Sequence, residues 1–535
     1  MRHKNKLIPF AAALAVGSVT PAHATDWLQF GYDTAHSSFN AAETGYPTAS
    51  NAILRHYALP TSAGTADNAP IYLGDVATNT GTKNLLFLVT KNGTLLALDA
   101  DSAALSVTWS KQPQAPIDSK QITHGSPAVD PSLLYVYAYA HDGKIHKYQV
   151  GDGTEVLTGG WPEVTTLKPN VEKGAAGLSI STDTGGTTYL HSVIDGYIGD
   201  AGDYQGHITT INLATGTQKV FNSLCSGLTI HFIENGIKSG AGQNDCASAQ
   251  NGIWGRPGAI YDAGTNRIFI TTGNGPYNAS TGGFNWGDSV LALNPDGSGA
   301  GGGMPVDSYT PTTFQNLQTT DADLGSESIA IMPPPAGTAA QYQHIAVQAG
   351  KDGCIRLLNL ADLSGQGVPA KTGGEIQAVN FPGGHCATGS DGPEIKPQPA
   401  VWVNPADGAS WVYVASYNNG MLAYKIVLDG NAKPSLVKQW PIDPMNVNAT
   451  AASGTSPIVA NGVLYYMSGN HMLALDAVTG TVLLGAGSPW LTTAYGGQHW
   501  QSPIIVNGHI YATDNGSPSQ LWVFALDGAF KSGFE

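Results

Sequence analysis

Short runs of alternating apolar and polar residues, each preceded by a turn and closed by a polar residue, recur from Lys91 to Gly528. The clearest copy is residues 91–100, Lys-Asn-Gly-Thr-Leu-Leu-Ala-Leu-Asp-Ala, in which an Asn-Gly turn feeds a strand that ends on an acid. Related runs end at Tyr148-Gln149, Ile211-Asn212, Leu293-Asn294, Leu358-Asn359, Tyr424-Lys425, Leu475-Asp476 and Leu526-Asp527. Seven steps from Leu98 to Leu526 give a mean period of about 61 residues, longer than the ~40–50 of common propeller repeats. The surplus reads as decorated loops. Period-2 patterning between Gly- and Pro-rich turns predicts antiparallel strands in meanders, with blades near 69–111, 124–162, 173–224, 251–299, 325–367, 392–441, 454–487 and 499–528. The eighth is short, and residues 52–59, Ala-Ile-Leu-Arg-His-Tyr-Ala-Leu, are a strand without a repeat of their own. Pairing the two closes the ring and removes exposed sheet edges. The expected fold is therefore all-β, an eight-bladed propeller closed by pairing of an N-terminal strand with the last blade. Trp27 to Phe30 is expected to pack at that seam, and Trp109, Trp161 and Trp440, each late in a repeat, to pack blade on blade.

Composition narrows this picture. A chain of 535 residues with 67 Gly and 32 Pro suits a turn-dense β protein, and a closed ring of repeats needs no second domain. Arg2, Lys4 and Lys6 precede an apolar run over 7–19 and an Ala22-His23-Ala24 end, the three parts of a secretory signal peptide. Residues 1–24 are expected to be removed and 25–535 to form one propeller domain in the periplasm or outside the cell. The apolar run is too short for a membrane span, which needs about 20 residues, and no Cys follows it as a lipid anchor. Without the leader's three cations the formal charge of −15 becomes about −18. That excess of acid argues against nucleic acid, whose binding relies on Lys and Arg. Cys225 and Cys246 are 21 residues apart and Cys354 and Cys386 are 32 apart, which in an oxidising setting predicts two local disulfides. Each restricts the unfolded chain by roughly 3 kcal/mol, whereas metal binding by cysteine requires closer spacing.

Repeats 3 to 5 are the longest, with 82 residues between Ile211 and Leu293. Inner strands crowd the axis of a propeller, so insertions converging there mark the candidate site. The insertions hold an ordered set: Ile253-Trp254; 268–276, Ile-Phe-Ile-Thr-Thr-Gly-Asn-Gly-Pro; 287–293, Gly-Asp-Ser-Val-Leu-Ala-Leu; 321–326, Asp-Ala-Asp-Leu-Gly-Ser; and 350–353, Gly-Lys-Asp-Gly. This set resembles the quinoprotein alcohol dehydrogenase superfamily, eight-bladed propellers that hold pyrroloquinoline quinone on a calcium ion, including its polyvinyl-alcohol-dehydrogenase-like branch.

The resemblance implies a role for each matching residue. Trp254 becomes the aromatic floor under the quinone, and Asn274 a calcium ligand through its amide oxygen. Asp323 becomes the general base beside the metal, and Lys351 the cation at the ortho-quinone oxygens. In the implied mechanism calcium polarises a quinone carbonyl while Asp323 takes the alcohol proton and hydride passes to the quinone. The substrate is a small or polymeric alcohol or polyol. The chain has no Cys-x-x-Cys-His for covalent haem, so electrons go to a separate acceptor such as a cytochrome or quinone. It also departs from the family pattern: there is no adjacent Cys-Cys pair, and the metal-binding Glu of repeat 3 is replaced by a stretch offering Asp200 and Asp203. His124 stands where the family carries an Arg. His499-Trp500 is a further pair for the funnel wall. Each residue also has a plainer reading as a turn, cap or core residue. Two other functions therefore stay open, a non-catalytic binding or envelope-assembly scaffold and a polysaccharide lyase or hydrolase.

Overall fold

The computed structural model describes residues 26–47, 53–60, 64–197, 202–234, 246–416, 420–440, 454–468, 471–484, 501–514, 516 and 518–526. The proposed leader, Asp200 and the pair at 499–500 lie outside them. Eight separate sheets follow one another along the chain, and six of them are antiparallel meanders read in chain order from one edge to the other, while blade 7 adds the short strand Phe39–Asn40 parallel to its inner strand Ile458–Ala460. Blade 1 is typical, with strands Ile71–Thr78, Gly81–Val89, Leu95–Asp99 and Val107–Lys111. In blade 8 the strand Ile53–Ala58 pairs antiparallel with Gln520–Ala525 as its outermost member. The ring is thus closed by the chain's two ends, as the sequence predicts. Blades 4 and 5 run further than expected: their outer strands are Asp307–Tyr309 and Gln377–Asn380, displaced by loop insertions after residues 299 and 367.

The alternation of the sequence is softened in the folded chain. Residues 85–89 and 95–98 of blade 1 are buried at every position, because each blade is covered on both faces by its neighbours. Between blades the tryptophans do what their positions suggest. Trp109 Nε1 donates to Val150 O (2.9 Å), and Trp440 Nε1 donates to Val478 O (3.1 Å). A glycine of the following blade makes room for each ring. A Cβ added to Gly153 or Gly480 would come within 2.7 Å of Trp109 or Trp440. The two disulfides form as expected, Cys225–Cys246 and Cys354–Cys386. No helix among the described residues is long and apolar enough to cross a membrane.

The segment over residues 26–47 does more than pack at the closing seam. Trp27 exchanges backbone hydrogen bonds with Tyr72 of blade 1, and Leu28 O accepts from Val129 N–H of blade 2 (2.8 Å). Gln29 Oε1 accepts from Ile180 N–H of blade 3 (2.8 Å). The segment then passes Tyr261, Val401 and Val459 of blades 4, 6 and 7, each donating its N–H to a carbonyl of residues 34–38. Asn40 Nδ2 finally reaches Ile505 O of blade 8 (2.7 Å). These contacts fall on the innermost strands of seven blades, so the segment lines the axis and fills it from within.

Candidate functional site

In an antiparallel meander the start of the first strand and the end of the second lie at the same end of the blade. The site residues use those two places. Trp254 and Asp323 lead into the inner strands Ile260–Asp262 and Ala330–Met332, while Asn274 and Lys351 follow the second strands Arg267–Thr271 and Ile345–Ala349. Residues from the adjacent blades 4 and 5 therefore meet at one end of the ring.

Asp323 is their hub. Its Oδ1 accepts from Asn274 N–H (2.7 Å), and its Oδ2 is paired with Lys351 Nζ. Lys351 N–H donates to Asp323 O (3.0 Å), and its ammonium lies 5.4 Å from the Trp254 ring. Asp321 completes the group, accepting on Oδ1 from Asn274 Nδ2 (2.8 Å) and Lys351 Nζ (3.2 Å). It stands there because the helix Phe314–Thr320 ends on it in a left-handed conformation, φ 57°. Gly273 lets the parts close up. A Cβ there would lie 2.5 Å from Asp323 Oδ1 and 3.0 Å from Trp254 Nε1. Burial lowers the Lys351 pKa, but the charges and hydrogen bonds of Asp323 and Asp321 outweigh that and hold the ammonium firmly protonated.

Beneath the hub is Asp288, whose Oδ1 accepts from Leu324 N–H (3.0 Å) and so fixes the turn that carries Asp323. Its Oδ2 has no hydrogen-bond partner among the described residues. Burial, reinforced by the charge of Asp323, pushes its pKa well above the ordinary carboxylate value. Sequence reasoning quoted its Gly-Asp-Ser stretch without giving it a role. A charged residue on the lip of a fully apolar strand, Val290–Leu293, was the available signal.

The other expected residues are placed elsewhere. His124 Nδ1 is 3.2 Å from Asp67 Oδ2, which Lys91 Nζ also approaches at 3.0 Å, so His124 belongs to a cluster on blades 1 and 2. Asp203 accepts from Gln205 Nε2 (3.3 Å), and its carbonyl accepts from Lys168 Nζ (2.9 Å). Its loop is one step from Asn274, through the bridge Gln205–Gln250 and the bond from Asn251 N–H to Asn274 O (3.0 Å). Among the described residues no three His, Cys, Asp or Glu side chains are placed to hold a metal. Asn274 offers a free amide oxygen and Asp323 a carboxylate, two donors toward the six to eight oxygens calcium takes. The metal's protein ligands are incomplete here. The fit to a planar, electron-accepting ligand is better: Trp254 is half-buried at the mouth, with a fixed cation beside its ring.

Below, the axis is shut. Arg256 on the lead-in to blade 4 donates Nη1 to Gln501 O on the lead-in to blade 8, directly across the ring (2.9 Å), and Gln501 Nε2 reaches Ala66 O beside blade 1 (3.2 Å). Residues 26–47 line the axis as well. A cavity of about 730 Å³ lies elsewhere, between blades 1 and 2 beside Asp26, Val76, Leu134 and Val150. It contains none of these residues.

No protein-family model and no curated protein matches the chain. Solved structures do. The quinohemoprotein alcohol dehydrogenase of Comamonas testosteroni superposes with a TM-score of 0.58 at 16% identity, over 96% of this chain and 82% of that one. A europium-containing methanol dehydrogenase gives 0.59 at 14% identity, over 94% and 98%. A quinohemoprotein alcohol dehydrogenase of Pseudomonas putida HK5 gives 0.58 at 14%, over 96% and 81%. The fold is thus the eight-bladed propeller of the quinoprotein alcohol dehydrogenases. At these identities the likeness is one of architecture.

Proposed function

We propose that this chain is an exported quinone-dependent dehydrogenase that oxidises an alcohol or polyol and passes the electrons to a separate acceptor. The observation that supports it best is the meeting of Trp254, Asn274, Asp323 and Lys351 at one end of a propeller of this architecture. When bound, pyrroloquinoline quinone supplies the hydride acceptor that no side chain can provide. Trp254 would hold it by its face and Lys351 by charge, while Asn274 and Asp323, with Asp200 or Asp203, would contribute ligands to a calcium ion.

The residues themselves account for the proton. In the ligand-free site Asp323 is held and oriented by Lys351 and by Asn274 N–H; burial raises its pKa above the ordinary carboxylate value, and the ammonium and the N–H offset part of that rise. A substrate hydroxyl next to Asp323 Oδ2 gives up its proton to that oxygen as the alcohol is oxidised. Leader removal and the two disulfides fit a periplasmic or secreted enzyme. A scaffold role has one observation in its favour, that both Asp323 oxygens are already occupied.

The mature protein is to be mixed with pyrroloquinoline quinone and calcium, passed over a gel-filtration column, and assayed by dye reduction against alcohols, polyols and polyvinyl alcohol. Co-elution of the quinone with alcohol-dependent dye reduction is expected. Failure of the quinone to co-elute at micromolar concentration would move the reading to a scaffold.

A further inference from the structure

A second charged cluster lies on blades 1 to 3. At its centre is Lys173, in the inner strand Glu172–Gly174 of blade 3. Only 4% of it is exposed, yet its ammonium makes no hydrogen bond or ion pair with any described residue. The aromatic ring of Tyr197 is 5.8 Å away. The charges that act on it are those of Asp195, Asp67 and Lys91. Asp67 is already shared by Lys91 and His124, and the guanidinium of Arg256 feels it from below.

An ammonium so little exposed and without an acceptor among the described residues is unfavourable, and burial correspondingly lowers the Lys173 pKa. Lys91, Lys173 and Arg256 against Asp67 and Asp195 leave this pocket positive even with His124 neutral. The protein around it has a net charge of −15. A locally cationic spot on an acidic protein attracts small anions. We propose that Lys173, assisted by Lys91, is the receptor for a ligand carboxylate, which supplies the acceptors the buried ammonium lacks. The ligand then bridges the two clusters, with its acid at Lys173 and its reacting part toward Trp254 and Asp323. Two sources have this chemistry. One is the tricarboxylate quinone of the proposed function; the other is an acidic substrate such as a uronate. The inference holds for either.

The test uses the mature protein, three probes and no turnover. Benzene-1,2,4-tricarboxylate is a planar, redox-inert tricarboxylate, pyrroloquinoline quinone adds the quinone, and galacturonate stands for an acidic sugar. Binding is followed by calorimetry at two salt concentrations and by the rise in Tm with ligand. Wild type is expected to bind at least one probe, more weakly at high salt. Lys173→Met should lose at least tenfold in affinity for it while its ligand-free Tm equals or exceeds that of wild type, because an unpaired buried charge is gone. Lys173→Arg should restore binding. Unchanged affinity in Lys173→Met, or no binding of any probe by wild type, overturns the proposal. So does a lower ligand-free Tm in Lys173→Met, which would make the lysine a structural cation. If Lys173→Met does not fold, reductive methylation of wild type decides: the bound probe must protect Lys173, and labelling at the same rate with and without it overturns the proposal. Tighter binding of the quinone than of the benzene tricarboxylate assigns the acid to the cofactor. Preference for galacturonate assigns it to the substrate, in which case the receptor stands and the quinone reading falls.

Discussion

Lys91 in blade 1 and Lys351 in blade 5 occupy the same turn after the second strand, and their surroundings repeat in detail. Each pairs with an aspartate from the lead-in to its own blade, Lys91 with Asp67 and Lys351 with Asp323. Each donates its N–H to a carbonyl of that lead-in and accepts on its own carbonyl from the lead-in to the next blade. The Asp–Lys pair is therefore part of how this propeller joins turn to lead-in. What differs is the company: blade 5 adds Trp254, Asn274 and Asp321, whereas blade 1 adds His124. If chemistry belongs to the company and not to the pair, equivalent substitutions must have unequal effects.

The largest inequality is expected for the two aspartates. Asp323→Asn should lower kcat by about 10²–10⁴, the range for loss of a positioned general base, whereas Asp67→Asn should leave kcat within about tenfold. Dye-linked rates of the two variants at saturating quinone measure this. Equal losses would make Asp323 another structural partner of a turn lysine. Two tryptophans sharpen the same point. Trp254→Ala should weaken quinone binding about tenfold, in line with ~1.5 kcal/mol for an aromatic pair, with little change in Tm because the ring is half-exposed. Trp109→Ala, in the blade interface, should instead lose about 3–5 kcal/mol of stability and keep its quinone affinity. Urea unfolding with quinone titration separates the two.

The disulfides differ in the same way. Cys354 directly follows the Lys351 turn, and the loop ending in Cys386 is tied back to it: His385 N–H donates to Asp352 O (2.8 Å) and Gly392 N–H to Lys351 O (3.1 Å). Cys225–Cys246 braces a loop on blade 3 next to Asn285. Replacing either pair by alanine should cost about 2–4 kcal/mol of stability. Only the Cys354/Cys386 variant should also change quinone affinity, by a few-fold, in the calorimetric titration. A matching change in the Cys225/Cys246 variant would mean that neither disulfide acts through the lysine.

How much of this could be read from the sequence depends on the distance over which each feature is made. The blades are local meanders, so runs such as 91–100 exposed them, and the strand over 52–59 betrayed its partner by having no repeat. The blade 5 group was partly readable because Asp321, Asp323 and Lys351 lie within one repeat. The axis was not. Arg256 meets Gln501 across 245 positions and Asn40 meets Ile505 across 465, and no periodicity links them. Residues 26–47 pair with one blade at a time and carry no repeat pattern, so only Trp27 to Phe30 drew notice. Lys173 carried no signal in the sequence, its burial being a property of the fold, and the pairing of His124 with Asp67 was not readable because Asp67 lies outside any motif.

The smallest effect comes from a third copy of the turn. Blade 2 has His141-Asp142-Gly143 where blade 5 has Lys351-Asp352-Gly353, and in both the aspartate pairs with a cation four residues on, His146 or Arg356. Arg356 stays charged at any ordinary pH, but His146 titrates. Burial pulls its pKa down, while Asp142 at 3.2 Å and Glu155 at 2.6 Å pull it up and prevail, so it lies above the ordinary 6.5. A histidine raised on folding stabilises fully below its unfolded pKa, and that contribution fades as pH rises through the folded value. Wild type should therefore lose a few degrees of Tm between about pH 6 and 8 that His146→Gln does not lose. His146→Arg should be flat as well, and at the higher Tm if the blade 5 arrangement can be transplanted. If all three variants slope alike over that window, the ion pair in the turn is not what couples blade 2 to pH, and the likeness between the turns is one of shape without shared energetics.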